Sequence, residues 1–512
     1  MPNTDTEVTL SIQNLFAVHY SKDSLINILE GINLEVKTGE IVGIIGESQS
    51  GKSLLREIIV GSEPGKDGGI TKGRVEIGGF NIYFNLNKIY SESKNKKELG
   101  SPQSGEISKL KIGFRLSTES YLSIMPEFSL NAFAPKKSIM EQITERLVQM
   151  NGAELAESIL ERENIKEQDI VKNMIDFQLT DPGVRDEKII NYAEHNGLRG
   201  FASQLVEYVD LDLNPEIVAK WTLLKTKTEI EPKILDNLKE FSKFSKNVRK
   251  SEKLYLEILS EMEEKDEKEL KEIKTRVRKQ QRQIMQESKG FASKARIVAG
   301  SINKELKKEA EKWSVDYMKL LGMENPQELT KNAPEELSLG EVNLCSFVLN
   351  TITRPKLVIL DQVLSVMDPM TKKNVENQIK KMSKLYGMSF LVISRTLHIA
   401  TELCKRVAIM YSGRIVEETE TEELLADPKH PLTVFSISVA RSMAGESVVD
   451  LQNDIKLGEI VSYDKLPSGC YFEPRCKFAL SICSTRKPLL KEFGNKHKVA
   501  CFLYFPDYEV PN

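Results

Sequence analysis

The chain opens on alternation. Residues 8–20 (VTLSIQNLFAVHY) and 26–40 (INILEGINLEVKTGE) set apolar side chains at every second position over most of their length, the period of half-buried strands. They lead into Ile41–Ile45, an apolar run interrupted only by Gly43 and too short for a helix, which predicts a buried strand. Residues 73–83 (GRVEIGGFNIY) read as a hairpin with a Gly-Gly turn, and 84–108, rich in Asn, Lys, Ser and Gly, as an extended surface loop. From 137 to 320 the pattern turns helical. Within it, 225–312 is dense in Lys and Glu, with Leu270, Ile273, Val277 and Ile284 at heptad-like intervals and the register broken at Asp266 and Gln280. That stretch suits a solvated helical hairpin with one buried stripe, or a long coiled coil.

Strand signals then return. Residues 333–345 (APEELSLGEVNLC) are a turn and a helix start, and 355–362 (PKLVILDQ) are an apolar strand ending at Asp361. SVMDP (365–369) opens a helix, MSFLVISRT (388–396) is a buried strand, and KRVAIMYSGRIVEE (405–418) is a hairpin around Ser412-Gly413. The remaining residues form a separate tail. We expect a division at 1–136, 137–320, 321–425 and 426–512: two parts of an α/β core, a helical subdomain inserted between them, and a Cys-rich C-terminal region.

Composition changes this picture little. The 512 residues leave room for two to four domains, and a net charge of −3 gives no signature for nucleic acid or anionic membrane. The basic run at 276–283 (RVRKQQRQ) is interleaved with acids nearby and reads as a solvated face. No apolar run reaches the ~18 residues of a membrane span, and MPNTDTEVTL lacks a signal-peptide profile. The expected location is cytoplasmic, or peripheral on the inner face of the membrane.

The chemistry concentrates where the strand Ile41–Ile45 meets Gly46-Glu47-Ser48-Gln49-Ser50-Gly51-Lys52-Ser53. This fits GxxxxGK[ST], a phosphate loop between a buried strand and a helix starting near Leu54. Backbone N–H groups and the helix N-terminus wrap phosphates, Lys52 reaches the β/γ oxygens, and the Ser53 hydroxyl takes a place on Mg²⁺. Gln49 stands where many such loops carry another glycine. Tyr20 is placed either to stack on a base or to pack on its strand. Asp361, at the C-terminal edge of a buried strand, is suited to hold Mg²⁺ through water. Ser338 and Gly340 in LSLGE open a helix whose N-terminus could meet a phosphate presented by a second subunit.

In this order, phosphate loop, LSLGE, Asp361 strand and SVMD with Asp368, the chain resembles the ATP-binding-cassette (ABC) family over residues 8–150 and 305–425. The nearest likeness is to ATPase subunits of oligopeptide, dipeptide and nickel importers, through GESQSGKS, MYSGRIVE, Asp427–Thr433 and the tail PSGCYFEPRC. The resemblance implies a P-loop NTPase fold, ATP and Mg²⁺ as cofactors, and head-to-tail dimers that sandwich ATP between one phosphate loop and the partner's signature. Three positions depart from the family. Gln362 replaces the glutamate that polarises water, Arg395 replaces the switch histidine, and Ser117 falls where a glutamine is usual. An amide cannot accept a proton, and loss of a general base costs ~10²–10⁴ in rate. The pattern is binding retained and hydrolysis weakened. Roughly 150 residues also sit in the helical subdomain beyond what the family needs.

Four of the six cysteines lie in the last 43 residues, as Cys470, Cys476, Cys483 and Cys501. Four thiolates suit Zn²⁺ or a [4Fe–4S] cluster, or the cysteines only pack; CxxC pairs typical of zinc are absent, and resemblance to the importer tail implies the cluster. Cys345 and Cys404 read as core residues. Two functions follow. One is a catalytically degenerate ATP-binding subunit, paired with a second ABC ATPase and membrane permease subunits. The other is a soluble ABC ATPase acting on a macromolecular complex, similar to the one that helps activate methyl-coenzyme M reductase or to SMC-type proteins.

Overall fold

The structure, a computed structural model, describes residues 8–21, 24–61, 68–82, 121–127, 129–226, 230–261, 275–276, 279, 289–365, 367–443, 461–494 and 496–505. The chain divides into two compact units, residues 1–128 with 355–512, and Ser129–Arg354.

The first unit carries two sheets. β1 (Val8–Ser21), β2 (Ser24–Lys37), β4 (Gly68–Ile77) and β5 (Phe80–Asn81) form an antiparallel sheet in the order β2-β1-β4-β5. The larger sheet places β3 (Ile41–Ile45) between β8 (Ser389–Ser394) and β9 (Arg406–Tyr411), parallel to both. Beyond β8 come β7 (Leu357–Asp361) and β6 (Leu122–Met125), again parallel. Every residue of β3, β7 and β8 is buried, which is why these segments read as continuous apolar runs rather than alternation. On the other side β10 (Arg414–Glu420) pairs antiparallel with β9 and is followed by the short hairpin β11 (Lys491–Glu492) and β12 (Lys498–Val499).

Helix α1 (Lys52–Ile59) links the sheets. Its Leu55, Ile58 and Ile59 are buried in one apolar core with Leu10, Ile12 and Ile32 from the antiparallel sheet and Ile44, Ile359 and Ile393 from the larger one. Burial at roughly 25 cal/mol per Å² of apolar surface makes this core the main support of the loop that precedes α1. The tail is tied to the same unit by a buried ionisable pair. His497 Nε2 lies 2.7 Å from Glu417 Oε1 on β10, and both residues are almost wholly excluded from solvent. Glu417 also accepts the backbone N–H groups of Lys429 and His430, at 2.7 and 2.8 Å, so its charge is hydrogen-bonded on several sides.

The second unit is helical among its described residues. Ile139–Arg162 is capped by Ser138, whose side chain accepts the Glu141 N–H, and it bends at Asn151 beside Gly152. It packs with the long helices Pro232–Glu261 and Lys289–Leu320. A buried guanidinium–carboxylate pair joins two of them. Arg162 Nη1 lies 2.9 and 2.7 Å from the Glu309 oxygens, and Glu309 also accepts from Ser158 Oγ and Trp313 Nε1. With neither side chain more than 2% exposed, removing one partner of such a pair costs about 3–5 kcal/mol, because the other charge is left buried. Shorter helices, Glu167–Gln178, Pro182–His195, Ala202–Asp210 and Pro215–Thr226, complete the unit together with Leu339–Thr351. The heptad positions Leu270, Ile273, Val277 and Ile284 lie outside the described residues.

Candidate nucleotide site

The phosphate loop leaves β3 at Gly46 and enters α1 at Lys52. Glycine is required at both corners. A Cβ on Gly46 would stand 2.3 Å from the Met410 carbonyl oxygen, and Gly51 has φ of 97°, a left-handed conformation that side chains disfavour. Gln49 also sits in the left-handed region, at φ 62°, where a non-glycine residue costs roughly 1–2 kcal/mol. Where a glycine would adopt this conformation freely, Gln49 holds it under backbone strain.

Lys52 folds back into the loop. Its Nζ donates to the carbonyls of Gly46 (2.6 Å) and Glu47 (2.8 Å) and to Ser50 Oγ (2.7 Å). The residue is 6% exposed. Burial first, and the Arg395 charge second, bring its pKa down to about 8, while Asp361 and Glu47 pull it back up. Ser48, Gln49 and Ser53 are exposed and Ser50 is buried, so the loop's outer rim and the Ser53 hydroxyl are accessible.

Asp361 ends β7 and is 3% exposed. One of its oxygens is held by Arg56, one turn along α1 from Lys52. Its Oδ1 is buried with no hydrogen-bond partner, an acceptor aimed at something the chain itself does not supply. The donor set fits Mg²⁺: a free carboxylate oxygen and an accessible hydroxyl, hard oxygen ligands of the kind this ion prefers.

Gln362 follows at φ 56°, half-buried, its N–H bonded to the Ile393 carbonyl at 2.8 Å. Arg395 follows β8 and is exposed; its neighbour Ser394 accepts the Gly46 N–H at 3.3 Å, so the ends of β3, β7 and β8 converge here. Lys52, Ser53, Asp361, Gln362 and Arg395, far apart in sequence, are thereby brought to one edge of the sheet. Asp368 instead caps the helix Pro369–Tyr386, accepting the Met370 and Thr371 N–H groups at 3.0 Å; these bonds, first that with Thr371, hold its carboxyl below the usual range.

Ser338 and Gly340 belong to the helical unit. Ser338 caps Leu339–Thr351 in a reciprocal box: its side chain accepts the Glu341 N–H, and the Glu341 carboxylate accepts the Ser338 N–H at 2.8 Å. Tyr20 lies on β1 opposite Leu25, with its side chain outside the described residues, and Ser117 is outside them altogether.

Two contacts carry no sequence signal. Arg56 has its partner 305 residues away. Glu47, in the loop itself, is gripped by Arg475 from the tail at 2.5 and 3.1 Å. Behind Arg475, Cys470, Cys476, Cys483 and Cys501 line one small cavity with Phe472 and Phe502. Burial raises the Cys470 and Cys501 thiols to about 11 and 12. Among the described residues, no group of three or more His, Cys, Asp or Glu is arranged to hold a metal ion. Cys345 and Cys404 are buried elsewhere.

The phosphate loop, the Asp361 strand edge and the mixed sheet with its helix α1 make up a P-loop nucleotide-binding fold of the ATP-binding-cassette type. Residues 29–206 match the ABC transporter family, and 416–483 match the oligopeptide/dipeptide transporter C-terminal region. The oligopeptide transport ATP-binding protein AppD of Bacillus subtilis is 31% identical over 198 residues, 39% of this chain and 60% of that protein. The dipeptide transport ATP-binding protein DppD of Caldanaerobacter subterraneus is 30% identical over 180 residues, 35% and 54% of the two chains. DppD of Haemophilus influenzae is 29% identical over 196 residues, 38% and 58%. Both matched regions and these relatives set the chain beside the ATP-binding subunits of oligopeptide and dipeptide importers. Matches to these three span between 54% and 60% of the relatives' own lengths.

The buried Lys52 predicts a pH dependence. Phosphate oxygens bind the charged ammonium and lift its pKa, so nucleotide binding takes up a proton once the free loop's Lys52 has titrated, above about pH 8. Affinity measured by fluorescent-nucleotide titration should fall about tenfold between pH 7 and pH 9, the tenfold change in charged fraction that one pH unit above the pKa implies.

Proposed function

We propose that the chain is the ATP-binding subunit of a peptide-type importer, in which its own site binds ATP and hydrolyses it slowly while a second ABC ATPase supplies turnover. The observation that carries the reading is one strand edge: Asp361 keeps a free, buried oxygen beside an intact Lys52 and Ser53, and the next residue is Gln362. Lys52 would leave the loop carbonyls for the phosphates, with the loop N–H groups and the α1 N-terminus completing the cradle. Ser53 and Asp361 would hold Mg²⁺, which neutralises charge on the β/γ oxygens when bound. Gln362 can orient a water through its amide but cannot take its proton. Arg395 adds a fixed positive charge where the family has a titratable ring, favouring bound phosphate over its release.

The pairing reading rests on the helix at Ser338, whose capped N-terminus and exposed rim suit a nucleotide held by another ATPase. Membrane permease subunits would receive the assembled pair, and the helical residues beyond the family's need, within 137–320, would serve that assembly. If the chain instead co-purifies with a large soluble enzyme and no permease, the assembly-factor reading takes its place. The test of the site is direct. The purified chain should bind ATP with roughly micromolar affinity, about 8 kcal/mol of binding free energy, and turn it over very slowly. Gln362→Glu should raise turnover ~10²-fold or more by restoring a base. Fast turnover by the unaltered chain, abolished in Lys52→Ala, would contradict a degenerate site.

The tail reading is separate. We infer that the four cysteines on one cavity hold a [4Fe–4S] cluster that stabilises the tail, with zinc as the competing occupant. Support comes from the donor set, four thiols around one apolar cavity in a segment with little core of its own. Ligation would deprotonate thiols that burial now keeps protonated. Anaerobically purified chain should carry about four irons and absorb broadly near ~400 nm, and Cys476→Ser should abolish both. One zinc and no iron would select zinc; no metal would leave the cysteines as packing.

A further inference from the structure

The tail does more than follow the core: it reaches the phosphate loop and holds it. Glu47, the second residue of the loop, has both carboxylate oxygens engaged by the Arg475 guanidinium, at 2.5 Å to Oε2 and 3.1 Å to Oε1. Arg475 is 9% exposed and is seated against the aromatic rings of Phe472 and Tyr411, 5.7 and 5.9 Å from their centroids. Phe472 in turn packs edge-on against Tyr411 of β9 at 5.3 Å. A planar guanidinium held in that way presents its fork in one direction, and a two-oxygen carboxylate contact fixes orientation as well as distance.

Two further contacts converge on the same few residues. The Tyr463 hydroxyl lies 3.2 Å from where a Cβ on Gly51 would stand, so the tail also walls the far corner of the loop. Tyr471 and Lys487 both reach Glu30 on β2, at 2.5 and 2.9 Å, and the backbone N–H of Glu30 bonds the Gly413 carbonyl, whose own N–H bonds Ser50 in the loop. The loop is therefore held at Glu47, Ser50 and Gly51 by groups in or braced by the tail.

We propose that Arg475 is a positioning residue of the nucleotide site, so that the fold of the cysteine-lined module sets the affinity of the phosphate loop. This rests on the reading that the loop binds a nucleoside triphosphate. The Glu47 carbonyl is one of the oxygens that cage Lys52, and Glu47 is also a charge that raises the pKa of that lysine. Gripping the Glu47 side chain fixes the peptide that must release Lys52 and turn its neighbours' N–H groups towards phosphate. It also neutralises a carboxylate that would otherwise repel the incoming phosphates at close range. Cys476 follows Arg475 directly, and Cys470 closes the turn before it, its carbonyl accepting the Glu473 N–H at 3.0 Å. Whatever loosens the cysteine module loosens the Arg475 fork, and by linkage nucleotide binding must stabilise the module in return.

The test is a double-mutant cycle read on affinity for a fluorescent ATP analogue and on the rise in Tm that ATP produces, with full-length protein. Arg475→Ala should weaken binding about 5- to 100-fold, the span of typical coupling between sites, and shrink the ATP-induced Tm rise. Glu47→Gln, which leaves every tail residue in place but also removes the carboxylate that would repel phosphate, should weaken binding by no more than Arg475→Ala does. The double variant should be little worse than either single one, because both remove the same contact. Arg475→Lys, a point charge without the fork, should fall between wild type and Arg475→Ala. Wild-type affinity in Arg475→Ala, or losses that add in the double variant, overturns the proposal while leaving the nucleotide reading intact. No binding by the wild-type chain under any condition overturns both.

Discussion

A buried lysine charge organises this protein. Lys52 sits 6% exposed inside a ring of oxygens belonging to its own loop, and each neighbouring element bears on that charge. The ring exists because Gly46 admits the Met410 carbonyl and Gly51 takes a left-handed turn, so the loop can curl back on the strand edge. An ammonium placed there loses hydration, and three short hydrogen bonds offset part of that loss. What remains is an ammonium whose pKa burial brings down to about 8, and which phosphate oxygens would stabilise in its charged form. The core behind it, in which α1 is packed between two sheets, holds the loop's two ends at a fixed separation.

The charges around Lys52 come from three separate strand ends and from α1. Asp361 keeps one oxygen free for an ion and gives the other to Arg56. Arg395 adds a second positive charge at the same edge of the sheet, and that charge acts on Lys52. Gln362, in a left-handed conformation at the end of the strand, places a neutral amide beside Asp361. The chemical consequence is a site with electrostatic grounds for binding a polyphosphate.

Some of this was legible in the sequence because it is local. A phosphate loop is a backbone conformation set by two glycines and a lysine within eight residues, and a strand ending in Asp361 announces its own burial. The capping role of Ser338 is also a local pattern, Ser-x-x-Glu, although the sequence alone draws attention to the ligand that such a helix start could face. The contacts of Arg56 and Arg475 were not legible. Each meets a carboxylate more than 300 residues away, and nothing in a single chain pairs one arginine with one acid over that distance. The cysteines fall between these cases: their clustering near the C-terminus is visible in the sequence, while the grip of the neighbouring Arg475 on Glu47 needed coordinates. Gln49 shows the limit of motif reading, since an unusual residue in the loop became a specific strained φ only once the backbone was seen.

On these grounds the loop is a nucleotide cradle closed by its own lysine until phosphate arrives. The measurement that tests it most directly is a high-resolution structure of the chain with a non-hydrolysable ATP analogue and Mg²⁺. In that structure Lys52 Nζ should have left the Gly46 and Glu47 carbonyls for phosphate oxygens, with the ion near Ser53 and the free Oδ1 of Asp361. Nucleotide bound away from the loop, or Lys52 still seated on those two carbonyls with the analogue in place, would contradict it.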